Sequence, residues 1–389
     1  MVPLAAERVS CSESYGRILA EDVAAACDVP SFNRSPYDGY AFRAADTENA
    51  SFDAPAVLKI LEKLAAGEVS HMPVAPGTAV NVMTGAPVPD GADAVCMFEK
   101  TVVSDGNVQI FEPYRSGQNV IYAGEDVKKG TLLARTGDKI DPGLSGTIAA
   151  QNMTDVMVYK RPKVALISTG SELLEPGNAP EDGKVYNSNR FTLAAELKKL
   201  GCEPVYLGIA GDDAGSISGL IQAGLKDCDA VILTGGVSVG DYDFTPEAME
   251  AAGAEIVIHG IDIKPGMACC YGFAGDKLIG GLSGNPASSL TNFHVVAVPA
   301  LKRLCGIAAG KCIPQSIDVV LSDGFKKASP GTRFLRGRLD LSEGQIRMSI
   351  SRDQGNVVLS SSIGADVMAE IPAGSGPVLP GTVLKAFLI

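Results

Sequence analysis

Residues 231–245 read VILTGGVSVGDYDFT, and the reading of this stretch decides the fold. Val231, Ile232 and Leu233 form the end of a short buried strand. Thr234-Gly235-Gly236 then turns sharply, and Thr245-Pro246-Glu247 has the chemistry of a helix cap and first turn. Glycine has no side chain to hold a ligand off, so backbone amides in such a loop can approach one closely. Asp241 and Asp243 follow, so a single loop can offer N–H groups to a phosphate and carboxylate to a divalent cation. Glycine-rich strand-to-helix turns also occur without any ligand in doubly wound folds, and on this loop alone that plainer reading stays open.

The same texture continues on both sides. VALIST at 164–169 is an apolar strand, and RFTLAAELKKLG at 190–201 is an amphipathic helix ended by Gly201. PVYLGIA (204–210), SISGLIQAGLKD (216–227) and AVILTGG (230–236) give strand, helix and strand. After a helix from Thr245 to Ala252 come EIVIHGI, ACCYGF, KLIGGLSG and the helix ASSLTNFHVVAVPALKRL. Alternation over roughly 140 residues predicts a doubly wound, largely parallel sheet with ligands at the carboxyl ends of its strands. Three loops should open together on that edge: Ser168-Thr169-Gly170, Thr234-Gly235-Gly236 and Ser283-Gly284-Asn285-Pro286. Their coincidence is a stronger signal than any one of them.

The flanks read differently. Residues 12–26 place Tyr15, Ile18, Leu19 and Val23 at helical spacing, and Pro30 ends the pattern. Ser35-Pro36-Tyr37-Asp38-Gly39 is turn chemistry, with Gly39 free to take positive φ. Residues 54–128 are strand-like and broken by Gly and Pro, which predicts a small β-rich domain. Residues 129–160 give short strands and a helix from Asp141 to Gln151, packed with the N-terminal helix. Beyond Pro314 the runs at 317–322, 332–341, 346–351, 356–362, 367–372 and 382–389 are short strands of a small β-barrel or sandwich. The expected division is therefore 1–27 with 128–160, an inserted domain at 28–127, an α/β domain at 161–308 and a C-terminal barrel at 309–389.

At 389 residues several domains are expected, and 46% hydrophobic with 20% charged residues fits a globular chain. A net charge of −12 argues against nucleic-acid or membrane-surface binding, so any anionic substrate must be drawn by local Lys, Arg and helix ends. No apolar run reaches spanning length, and MVPLAAERVS has no leader pattern, so a cytoplasmic protein is expected. Nine irregularly spaced cysteines without a CxxC pair fit free thiols, with Cys269-Cys270 packed in a strand.

Seven motifs in register then carry a resemblance: SPYDGYAFR, MTGAPVPDGADAV, GQNVIYAGEDV, STGSEL, TGGVSVGDYDF, IKPG and GLSGNP. From about Ser10 onward the chain resembles the MoeA/gephyrin E-domain family of molybdopterin molybdenumtransferases. The resemblance implies a four-part elongated subunit, a homodimer, and insertion of molybdate into adenylylated molybdopterin with release of AMP. An adenylyltransferase that precedes it and recipient molybdoenzymes are expected as partners, and hard carboxylate oxygen at Asp243 points to Mg²⁺ as the metal. The third domain's fold recurs in other molybdopterin-binding proteins, so fold alone does not settle the activity.

The residues can be read beside that resemblance. Cleaving a phosphoanhydride needs charge neutralisation, a divalent cation and a nucleophile, either molybdate or water. Asp243 is the best candidate for the metal; Glu172, Asp212 and Asp126 resemble the family's other acidic positions, and Glu172 is taken as a second metal ligand. Each carboxylate can equally cap a turn or helix. Ser168, Thr169, Gly170, Gly235, Gly236 and Ser238 belong to the cofactor-binding loops. Lys264, followed by Pro265, would meet the oxyanion, with Ser288 and its helix amides as neutral donors and Arg336 as a bidentate fork. A solvated strand-end lysine is the alternative for Lys264. Asn356 stands where some members carry a serine near the oxyanion. Asp38 and Thr84 lie in motifs that, in the family, approach the third domain across the dimer; turn hydrogen bonding is their alternative.

Departures from the family pattern are Met267 after Lys-Pro-Gly, Ser283 in Leu-Ser-Gly-Asn-Pro, Ile121 ahead of the Gly-Glu-Asp motif, and Gly260. Each lost polar contact would cost about 1–3 kcal/mol if it faces the ligand. They leave two alternatives to the transferase: a non-catalytic or differently specific pterin- or nucleotide-binding paralogue, or a tungstate-using variant.

Overall fold

In the computed structural model, which describes residues 1–238, 243–351 and 353–389, a six-stranded sheet forms the centre of the α/β region. Its strands are β1 (Lys163–Thr169), β2 (Glu203–Ala210), β3 (Ala230–Thr234), β4 (Glu255–His259), β5 (Cys269–Ala274) and β6 (Lys277–Leu282). They lie in the order β2-β1-β3-β6-β5-β4. The first four of that order are mutually parallel, and β5 and β4 are antiparallel additions at one edge. The antiparallel edge follows from Gly275, whose φ of +61° turns β5 straight into β6 with no room for a crossover helix.

Four helices cover the sheet: α1 (Asn189–Lys199), α2 (Ala214–Asp227), α3 (Thr245–Ala251) and α4 (Pro286–Asn292). Alternate residues of β1 feed different cores, so the strand is apolar throughout. Val164 and Leu166 pack with Leu193, Leu197 and Phe293 on one face. Ala165 and Ile167 pack with Ile217, Ile221 and Met249 on the other. α4 continues through a π-helical turn, Phe293–Ala297, into Val298–Leu304. Pro299 supplies no N–H to the ladder there, which accounts for the widened turn.

The β-rich region is a six-stranded sheet in the order Ala94–Met97, Gly39–Phe42, Thr78–Val82, Ala56–Leu64, Asn107–Ile110, Thr101–Ser104. Gly39 does not take positive φ; its Cα faces the Cys96 carbonyl across the ladder, where a Cβ would overlap it. The expected helix at 12–26 is absent. Only a 3₁₀ turn, Cys11–Glu13, forms. The amides that would bond within a helix go across the chain instead: Gly16 to Ile140, Leu19 to Asp138, and Ala20 to Met157. Ile18 and Leu19, read as one helical face, enter two separate cores. The helix expected at 141–151 is present as Pro142–Ala150, with Asp141 accepting from the Leu144 amide.

At the C-terminal end β7 (Ile317–Leu321), β8 (Thr332–Asp340), β9 (Arg347–Ile350), β10 (Val367–Ile371) and β11 (Val383–Leu388) close into a barrel. The circuit runs β8-β9-β7-β11-β10 and back to β8. Val319, Leu335, Met348 and Ala369 fill it. The strand expected at 356–362 is not one: Leu359–Ser362 is a 3₁₀ turn in which Ser361 Oγ donates to the Val358 carbonyl. Such local side-chain bonding competes with a ladder. Ile263–Lys264 leaves the α/β region and pairs with Thr332–Arg333 of β8.

Candidate functional site

The three glycine-rich loops meet at one edge of the central sheet, around a cavity of about 500 Å³. Thr169, Glu172, Gly236, Ser238, Asp243 and Asn285 are among its lining residues. Gly235 sits at φ +103°, and a Cβ there would overlap Thr169 Oγ1. The Gly235 amide donates to the Leu282 carbonyl (2.9 Å), and Thr169 Oγ1 donates to the Thr234 carbonyl (3.2 Å). Each loop therefore holds its neighbour. Thr245, expected to cap α3, does something else: its buried hydroxyl donates back to the Gly235 carbonyl (2.9 Å), and Phe244 stands at the cap without a side-chain bond. Asp241 lies outside the described residues.

Glu172 occupies the space over Gly170 that a Cβ would fill. Asp212 Oδ2 accepts the Ser171 amide at 2.9 Å, so it supports the same loop from behind and is not among the lining residues. Among the described residues no group of three His, Cys, Asp or Glu converges as a metal cage. Two carboxylates, Glu172 and Asp243, do line one cavity. That set suits Mg²⁺, which commonly takes one or two protein carboxylates and fills the remaining positions with water and substrate phosphate.

Beneath the cavity lies a polar network that sequence reasoning missed. Ser168 is buried, and its Oγ accepts from Asn187 Nδ2 at 3.0 Å. Asn187 Nδ2 also reaches Glu175 Oε1 and the Tyr206 hydroxyl, both at 3.2 Å. Arg190 pairs with Glu175 and lies 4.0 Å over the Tyr206 ring. Burial pushes the Glu175 carboxyl up, but bonds from Tyr206, Asn187 and Arg190 outweigh it and hold it below the usual range. Burial, reinforced by Glu175, pushes the Tyr206 phenol up to about 12. Asn189 Nδ2 donates to the Gly284 carbonyl (2.8 Å) and fixes the third loop. The partners lie 12 to 95 residues apart, and no local pattern announces them.

A second group gathers around α4. Ser288 is buried in its first turn, and the Ala287 and Ser288 amides donate to the Asn356 carbonyl at 3.1 and 3.3 Å. Asn356 thus contributes its backbone to the helix end, and Val357 beside it lines the cavity. Lys264 is exposed, while Pro265 and Gly266 are buried and Asn292 Nδ2 donates to the Gly266 carbonyl (2.8 Å). Arg336 is 0% exposed. Its Nε donates to Ser361 Oγ at 2.9 Å and its Nη1 reaches Thr291 Oγ1 at 3.5 Å. Nη2 has no hydrogen-bond partner among the described residues. Burial lowers the guanidinium to about 10, with Asp353 opposing.

The remaining expected residues lie elsewhere. Asp38 Oδ1 accepts both the Thr84 amide (2.7 Å) and the Thr84 hydroxyl (2.8 Å), bonds that hold its carboxyl below the usual range. This pair and the exposed Asp126 belong to the N-terminal half and do not line the cavity. Met267 is 61% exposed, and Ile121 bridges Arg34. The Gly260 amide donates to the Cys269 carbonyl, and Ser283 Oγ accepts the Asn285 amide.

Comparison with known proteins extends over almost the whole chain. Family models match at residues 1–151 (MoeA N-terminal region, domain I and II), 165–303 ("Probable molybdopterin binding domain") and 318–389 (MoeA C-terminal region, domain IV). A molybdopterin molybdenumtransferase of Staphylococcus aureus (strain Mu50) is 38% identical over 94% of this chain and 87% of its own length. One of Staphylococcus epidermidis (strain RP62A) is 35% identical over 98% and 90%. The solved structure of a molybdopterin biosynthesis MoeA protein from Pyrococcus horikoshii OT3 superposes with a TM-score of 0.84 at 30% identity, covering 100% of this chain and 96% of that one.

Proposed function

This chain belongs to the MoeA family, and from that premise we propose that it inserts molybdate into adenylylated molybdopterin and releases AMP. One observation carries the reading. The C-terminal segment that caps α4 through Asn356 also lines the glycine-walled cavity through Val357 and bonds the Arg336 backbone through Gln354, although Arg336, Lys264 and Ser288 are not themselves lining residues. The comparisons do not favour a non-catalytic paralogue.

The roles follow from the chemistry. The cavity takes the pterin and its phosphates, with the Asn187 network holding Ser168 and the Thr245 hydroxyl holding the Gly235 turn. Glu172 and Asp243 would hold Mg²⁺, which supplies charge neutralisation at phosphate oxygen when bound. Molybdate is the substrate oxyanion. Arg336, Lys264 and Ser288 bind it, the guanidinium through its open Nη2 and the serine as a neutral donor. The phosphoanhydride is then cleaved by an oxygen nucleophile, either molybdate or water, and AMP leaves.

We read the subunit as four parts, 1–27 with 128–160, 28–127, 161–308 and 309–389, working as a cytoplasmic homodimer. In that dimer Asp38 and Thr84 of one protomer complete the site of its partner. An adenylyltransferase would supply the substrate and molybdoenzymes would take the product. The test is calorimetry with molybdate and with tungstate in the presence of AMP. Binding that weakens with added salt supports the reading. No binding of either anion to the wild-type protein overturns it.

A further inference from the structure

β8 carries Arg336 and Arg338 two residues apart, so both leave the same outer face of the barrel. Arg336 is buried against the turn Leu359–Ser362, its Nε donating to Ser361 Oγ. Arg338 is exposed and borders a separate cavity of about 270 Å³ on the barrel. The register sets it directly opposite Ser349 of β9, which places guanidinium and hydroxyl on one face. Ser351, Ser360 and Ser361 line the same cavity.

The guanidinium is held in place. Its Nη2 donates to the Ile363 carbonyl at 2.9 Å. The group also lies flat against Gly364, where a Cβ would come within 2.7 Å of Nη2 and 2.9 Å of Cζ. Among the described residues no carboxylate pairs with it. Three acids around this end of the barrel bond backbone amides: Asp366 Oδ2 accepts from Leu339 (3.0 Å), Asp353 Oδ1 from Gly355 (2.8 Å), and Asp323 Oδ2 from Ile350, which lines the cavity (3.1 Å). The cavity joins this cation to Ser349 and Ser360, while its other two serines are engaged elsewhere, Ser351 Oγ donating to the Asp353 carbonyl and Ser361 Oγ to the Val358 carbonyl.

We propose that this cavity is a second site for a tetrahedral oxyanion, separate from the one assigned to Arg336, with Arg338 as its cation and Ser349 and Ser360 as neutral donors. A guanidinium offers parallel N–H groups that match two oxygens of such an anion. The cavity has space beyond a bare oxyanion, so the anion can be inorganic or the phosphate of a small monoester. The assignment does not rest on the transferase reading.

The test uses the full-length protein and calorimetry with three probes: molybdate, inorganic phosphate and AMP. Wild type should take up two molybdate equivalents per chain and Arg338→Ala one, with phosphate affinity at the lost site falling at least about tenfold. Arg338→Lys should keep part of it. Gly364→Ala leaves the charge in place but displaces the guanidinium, and should weaken phosphate as Arg338→Ala does. Circular dichroism checks that each variant is folded. Phosphate binding without AMP binding identifies an inorganic ligand; AMP binding lost in Arg338→Ala identifies a monoester. Equal stoichiometry and affinity in wild type and Arg338→Ala overturn the proposal. If Lys264→Ala removes one molybdate equivalent and Arg338→Ala none, this inference fails and the transferase reading stands. The opposite pattern sinks the transferase site and keeps this one.

Discussion

Replacing Arg336 by methionine should leave the fold almost as stable while removing the oxyanion site proposed there. Burial lowers the guanidinium from its usual 12.5 to about 10, which corresponds to a cost of about 3 kcal/mol for keeping the charge inside. Folded-state depression of a base means that this cost is present in full at neutral pH, where the group is charged in both states. Against it stand the bond to Ser361 Oγ and the long contact with Thr291, together about 2–3 kcal/mol for a charged donor. Methionine fills similar volume, Ser361 keeps its own bond to Val358, and Gln354 still bonds the residue-336 backbone. The terms cancel to within about 1 kcal/mol. Molybdate binding has no such compensation, because the Nη2 donor is gone; a loss of about 2–3 kcal/mol is expected, roughly 30- to 150-fold in affinity. Urea unfolding gives the stability and calorimetry the affinity. Destabilisation by several kcal/mol would contradict the cancellation of terms, and unchanged affinity in a folded variant would exclude Arg336 as a molybdate ligand.

Other substitutions probe the cavity. Asp243→Asn should keep the fold but lower Mg²⁺-dependent AMP release at least about tenfold, read by nucleotide chromatography; unchanged turnover removes Asp243 from the mechanism. Thr245→Val keeps the shape but leaves the Gly235 carbonyl unpaired, and should cost about 1–3 kcal/mol in urea unfolding. Glu175 has its carboxyl held below the usual range, so its contribution should be present above the ordinary value of 4.5 and fade as pH falls through the folded value. Stability–pH curves of wild type and Glu175→Gln should therefore converge in acid, and a constant difference from pH 7 down to pH 3 contradicts the assignment. Light scattering should report a dimer at micromolar concentration, and a monomer there argues against a shared site.

The parts of this protein that could be read from sequence were those with local rules. Strand, glycine turn and helix recur in 161–304, and the loops at Gly170, Gly235 and Gly284 converge as that alternation requires. Where local pattern and tertiary pairing disagreed, pairing won. Ile18, Leu19 and Val23 have helical spacing, yet their backbone bonds lie more than a hundred residues away. The 356–362 run has the composition of a strand, but Ser361 Oγ bonds the Val358 carbonyl and Leu359–Ser362 forms a 3₁₀ segment. The Asn187–Glu175–Tyr206 network stayed invisible because nothing in one segment predicts which distant hydroxyl it will meet. The Asn356 carbonyl closes the end of α4, a backbone role that no side-chain pattern encodes.

Molybdate-dependent release of AMP is the reaction to be measured. Purified protein is mixed with adenylylated molybdopterin and Mg²⁺, and AMP release is followed with and without molybdate. The account predicts AMP release that requires molybdate and that falls with both Asp243→Asn and Arg336→Met. Release of AMP at the same rate without molybdate, or none with it, would contradict the account.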